Sequence, residues 1–263
     1  MSDLSKDSAS GLEFIAVGET KTPKRMIVVL HGTGDNCEGI RPLGELFANM
    51  PDTLVLIPNG PVPLSKIMPA EQIEAARAAN PDFDPEKARN WSGPSTIQVV
   101  DDETMIAALD EIVTAPVHAL NTLIDGQLSK YGLKDKDLVI YGFSAGGLMA
   151  LHTGIQREEP CAGVISHSGH FLGAYEALST PRVLMIAGDQ EMAHPEAGHM
   201  FRSSAEALRS LGLEVQEHTC ENLGHGVNRE ALEAAGKFMG EAFGMKIGKP
   251  GPRKTLSPEP PAP

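Results

Sequence analysis

The chain has 263 residues, 22 basic against 35 acidic, for a formal charge of −13, and 41% of it is hydrophobic. A chain of this length buries roughly 70–75% of its unfolded surface, enough for a full core without staples. The acidic balance excludes binding by clustered Lys and Arg to nucleic acid or to an anionic membrane. Three scattered cysteines, Cys37, Cys161 and Cys220, supply neither a disulfide framework nor a CxxC zinc spacing. Residues 1–11 are polar and read as a flexible N-terminus without the apolar stretch of a signal peptide. No apolar run approaches the roughly 20 residues needed to span a bilayer, so a cytoplasmic protein is expected.

In chain order, Glu13–Val17 reads as an edge strand, and the run MIVVL at Met26–Leu30 as a buried one. A helix is expected over Pro42–Asn49, then a buried strand TLVLI at Thr53–Ile57. Residues 60–98 form a long connection. It holds an Ala-rich helical pattern at Pro69–Asn80 and the only tryptophan, Trp91. Long connections in compact domains are commonly lids or binding loops, so this one is read as a lid or pocket insertion. Asp102–Lys130 is a long helical pattern, with Pro116 expected to kink or split it. LVIY (Leu138–Tyr141), GVIS (Gly163–Ser166) and VLMIA (Val183–Ala187) continue the buried strands, and Leu213–His218 is a weaker one. Helical patterns at Ala145–Gln156, Pro195–Leu211 and Val227–Phe243 alternate with them. Continuously apolar strands alternating with helices predict an α/β fold, a mostly parallel central sheet with helices on both faces. The domain is placed at residues 12–245. Residues 246–263, with six prolines, are expected to be a disordered tail.

The strongest chemical signal is Gly142-Phe143-Ser144-Ala145-Gly146. The pentapeptide alone is weak. Its setting, after the strand DLVIY and before a small-residue helix, is that of a nucleophile elbow, which exposes Ser144 at the C-terminal sheet edge. A serine needs a base. Of the nine histidines, His194, His199, His218 and His225 follow the fifth apolar strand. His225, in the glycine-flanked loop LGHG after the last strand, is the favoured base, with His194 next. The orienting acid is expected after Val183–Ala187, where Asp189 and Glu191 both qualify by chemistry. The amides of Thr33, in the loop HGTGD after the strand MIVVL, and of Ala145 are the expected oxyanion donors. His167-Ser168-Gly169-His170 follows a strand end near this site and could line it.

Together LHGTGDN, GFSAGG, GDQEMAHP and NLGHG, in this order, resemble the phospholipase/carboxylesterase branch of the α/β-hydrolases, which includes the acyl-protein thioesterases. The likeness spans about residues 24–243. It implies the α/β-hydrolase fold and hydrolysis of carboxylic esters, thioesters or lysophospholipids by a Ser-His-acid triad, with a small-molecule substrate and no cofactor or metal. It is compatible with a homodimer. The family's acid lies three residues after a glycine and four before a proline. This points to Glu191 between Gly188 and Pro195, where the family usually has Asp, and leaves Asp189 open. Trp91 and His31 are expected at the substrate pocket. The rival reading is a non-catalytic binding protein that kept the scaffold.

Overall fold

The computed structural model describes residues 4–98, 100–172 and 176–245. Among the described residues, eight strands form one sheet and two more a short antiparallel pair. They are β1 (Ser5–Lys6), β2 (Glu13–Gly18), β3 (Arg25–Leu30), β4 (Thr53–Pro58), β5 (Val62–Pro63), β6 (Arg89–Asn90), β7 (Leu138–Phe143), β8 (Gly163–His167), β9 (Val183–Gly188) and β10 (Val215–Cys220). The helices are α1 (Cys37–Phe47), α2 (Ala70–Ala79), α3 (Asp102–Tyr131), α4 (Ala145–Ile155), α5 (Asp189–Met192), α6 (Pro195–Ser210) and α7 (Arg229–Ala242). The sheet order is β1-β2-β4-β3-β7-β8-β9-β10. From β4 to β10 every neighbouring pair is parallel, whereas β1 and β2 join antiparallel.

The apolar runs form strands because both faces of the sheet are covered. Met26, Val28 and Leu30 point into one buried cluster with residues of α3, α4 and α6, while Ile27 and Val29 point into another with α1 and α7. Alternate side chains of one strand thus serve two cores, and no polar position interrupts the run. The outermost β10 is only partly covered. The sequence signal there was correspondingly weak, and the observed strand begins and ends two residues later than expected.

Other local features differ from the sequence reading as well, among them α1, which starts at Cys37 and runs through the expected first residue Pro42. Ser5–Lys6, inside the expected flexible end, pair with Glu13–Phe14 and extend the sheet edge. The helix α3 runs through Pro116 without a break. Proline removes one helical hydrogen bond, but Val113, Val117, Leu120, Leu123 and Ile124 bury this helix against the sheet on both sides of it, which holds the helix through the defect. In the long connection, β5 pairs with β6 and the expected helix forms as α2, which buries none of its residues. The 246–263 segment lies outside the described residues. No helix among the described residues is long and apolar enough to cross a membrane.

Candidate active site

The parallel strands all end at one edge, and the loops leaving β3, β7, β8, β9 and β10 converge there. Ser144 joins β7 to α4 with φ 53° and ψ −120°. A non-glycine residue is strained in that region, and the strain persists only where surroundings enforce it. Here the Ser144 N–H donates to the His167 carbonyl at 2.8 Å. The turn closes tightly enough that a Cβ at Gly142 would strike the Gly146 carbonyl, and one at Gly146 would strike that of Leu30. These contacts explain the glycines flanking the serine.

The Nε2 of His225 lies 3.0 Å from Ser144 Oγ, and its Nδ1 lies 2.7 Å from Glu191 Oε1. The imidazole is half exposed, while the Glu191 side chain is only 10% exposed. Phe143 packs against the ring with centroids 5.1 Å apart. The two acid candidates therefore part company. Asp189 opens the single turn α5, and its Oδ1 accepts the Leu223 N–H at 3.1 Å. Main-chain donors of Asn222 and Leu223 hold its carboxyl below the usual range. Asp189 anchors the base of the histidine loop, and Glu191, two residues on, turns inward to the imidazole.

Sequence reasoning did not single out Ser168. Its hydroxyl donates to Glu191 Oε2 at 2.6 Å, so both carboxylate oxygens are engaged. Ser168 is buried, has φ 53°, and its N–H donates to the Ile186 carbonyl at 2.7 Å. The only signal for it was its place just past a strand end. The flanking His167 is buried beside Tyr141, 2.9 Å from its hydroxyl, and burial pushes its pKa down to about 4. Burial also lowers the pKa of His170, with Glu191 opposing.

On the other side of Ser144 lies the loop after β3. A Cβ at Gly32 would sit 3.3 Å from Ser144 Cβ, so this loop abuts the serine. Thr33 is the next residue; its hydroxyl donates to Asn90 Oδ1 at 2.9 Å. The N–H groups of Thr33 and Ala145 carry no hydrogen bond among the described residues. His31, expected at the pocket, has another place. It is fully buried, its Nε2 accepts the Gly60 N–H at 2.9 Å and its Nδ1 lies 2.7 Å from the Gly32 carbonyl. Both ring nitrogens serve the loop backbone, and burial lowers the pKa of the ring. Trp91 stacks on it at 4.8 Å and donates its Nε1–H to the His31 carbonyl at 2.9 Å. Trp91 also lines a cavity of about 280 Å³ with Val62, Pro94, Ile112 and Ala115.

A hydroxyl, an imidazole and a buried carboxylate in line, beside two unpaired main-chain donors, can carry out nucleophilic acyl transfer. Comparisons with known proteins give a family of ester hydrolases. A family model described as phospholipase/carboxylesterase matches residues 96–242. The esterase YpfH of Escherichia coli K12 is 24% identical over 224 residues, covering 84% of each chain. An acyl-protein thioesterase 1 of Emericella nidulans is 30% identical over 130 residues, 45% of this chain and 53% of that one. Among solved structures, esterase PE8 superposes with a TM-score of 0.68 at 24% identity, over 88% of this chain and 99% of that one.

Proposed function

Since the chain belongs to the phospholipase/carboxylesterase family of serine ester hydrolases, we propose that it cleaves carboxylic esters through an acyl-enzyme built on Ser144, His225 and Glu191. Ser144 Oγ attacks the acyl carbon while His225 Nε2 takes its proton. The N–H groups of Thr33 and Ala145 receive the oxyanion of the tetrahedral intermediate. As the bond to the leaving alcohol or thiol breaks, His225 returns the proton to it. Water then adds to the acyl carbon with His225 as base. Collapse of that intermediate frees the acid and restores the serine. Glu191 holds the imidazole tautomer and stabilises the imidazolium, with Ser168 fixing the carboxylate.

The observation that carries this reading is the unbroken chain Ser144–His225–Glu191–Ser168, with contacts of 3.0, 2.7 and 2.6 Å. A scaffold retained only for binding has no need of a strained serine facing an imidazole. The thioesterase relative makes thioesters the second substrate class to assay.

The test is labelling of the folded protein with a fluorophosphonate, followed by peptide mapping. A parallel series of p-nitrophenyl esters and matched thioesters compares wild type with Ser144→Ala. We expect the label on Ser144 and turnover lost in the variant. A label elsewhere, or turnover untouched by Ser144→Ala, overturns the proposal.

A further inference from the structure

We infer that His218, Cys220 and Glu230 form a site for a zinc-class divalent cation that clamps the two ends of the loop carrying His225. The site is separate from the ester chemistry and does not rest on it.

The strand β10 places His218 and Cys220 two residues apart, hence on one face. That face meets α7, because Cys220 belongs to the same buried cluster as Ala231, Ala235, Phe238 and Met239. Glu230 is the second residue of α7, whose start is fixed by the Asn228 side chain accepting the Ala231 N–H at 2.8 Å. One ligand atom from each residue, an imidazole nitrogen, a thiol sulfur and a carboxylate oxygen, lies within 4.8 Å of the others. His218 Nε2 approaches Glu230 Oε1 to 3.2 Å, yet it is shielded from solvent and makes no aligned hydrogen bond. The other oxygen of Glu230 accepts the Glu221 N–H at 3.2 Å, which turns Oε1 toward the cluster. Three ligand atoms thus face one another, joined only by the 3.2 Å approach of His218 to Glu230.

The donor set selects the ion. Nitrogen, thiolate sulfur and carboxylate oxygen are zinc ligands, whereas calcium and magnesium require oxygen alone. Tetrahedral zinc, with bonds of ~2.0–2.3 Å, holds its donors roughly 3.5 Å apart. The His218–Glu230 pair, 3.2 Å apart, already meets that spacing, so the remaining closure, no more than about 1.3 Å for atoms within 4.8 Å of one another, lies toward Cys220 Sγ. Both partly exposed side chains, His218 and Glu230, are free to make it. Water completes the coordination, and the thiol gives its proton to solvent when the metal binds. Cys220 ends β10 and Glu230 lies in the first turn of α7, with His225 on the loop between them. A metal across the two ends ties the base of that loop to the sheet.

The test uses the full chain, stripped with chelator and titrated with Co²⁺ and separately with Zn²⁺. We expect a stoichiometric near-ultraviolet thiolate-to-cobalt charge-transfer band and a rise in Tm with zinc. Both disappear in Cys220→Ser and His218→Ala, while the band persists in Cys37→Ser and Cys161→Ser. His218→Ala, at a partly exposed position, keeps the metal-free esterase activity and so shows that the variant is folded. A band that survives Cys220→Ser, zinc stabilisation equal in wild type and both variants, or the absence of any thiolate band overturns the inference. Zinc inhibition of equal strength in wild type and Cys220→Ser, without a Tm rise, assigns the metal to the Ser144–His225 centre and also overturns it. The thiolate-to-cobalt band and the Tm shift do not depend on whether Ser144 is the nucleophile.

Discussion

Glu191→Gln tests the acid assignment with almost no change of shape. The amide keeps the length of the side chain and can still meet Ser168, but it removes the charge facing the imidazole. With Nδ1 and Oε1 2.7 Å apart, the charge centres of imidazolium and carboxylate are about 4 Å apart. Their attraction is then ~4 kcal/mol at an effective dielectric of 20 and ~1 kcal/mol in water. The carboxylate is buried and the ring half exposed, so the pair lies toward the upper part of that range. A loss of about 2–4 kcal/mol in the transition state, where the imidazolium forms, lowers kcat/KM roughly 30- to 1,000-fold. Asp189→Asn is the control. Asparagine still presents an oxygen to the Leu223 N–H, so less than about a threefold change is expected. Both variants are assayed on a short p-nitrophenyl ester after circular dichroism has shown matching melting curves. If Glu191→Gln stays within a few-fold of wild type while Asp189→Asn collapses, the acid is Asp189 and the electrostatic reasoning fails.

Ser168→Ala removes a 2.6 Å donor from a buried carboxylate. A hydrogen bond to a charged group is worth ~1.5–3 kcal/mol, of which part appears in kcat through misplacement of His225. We expect kcat to fall about tenfold with KM little changed and Ser168→Thr to recover part of it; an unchanged kcat and pH profile would refute the positioning role. Stability should also depend on pH. Burial holds His152 and His167 near pKa 4 in the folded chain, against ~6.5 when unfolded. The unfolded state therefore binds their protons more tightly, so stability is full above pH ~6.5 and is lost as pH falls toward 4, by about 3 kcal/mol per histidine. Calorimetry should find Tm falling from pH 7.5 to 5 and a shallower slope in His167→Phe; a flat wild-type profile contradicts the assignment.

The buried strands and the elbow were legible because their signals are local. Val28 or Leu56 needs only to be apolar within an apolar run, and Ser144 needs only small neighbours between a strand and a helix. His225 is legible as a candidate from its glycine-flanked loop after the last strand. The position of the family's acid pointed to Glu191, but the loop chemistry alone could not separate it from Asp189.

That separation depended on α5. One turn of helix directs Asp189 toward the Leu223 main chain and Glu191 toward the imidazole, and the turn is oriented by contacts with a loop more than thirty residues away. Ser168 and His31 were hidden for the same reason. A serine past a strand end is unremarkable until β8 lies beside β9 and brings it to the carboxylate. A histidine beside the oxyanion loop looks like a pocket residue until Gly60 and Trp91 close over it. The sequence alone determined which residue types stand at the sheet edge, since propensity and hydrophobic period act over a few neighbours. Which way each side chain points is set by partners remote in the chain, so it emerges only once the strands and loops are packed together.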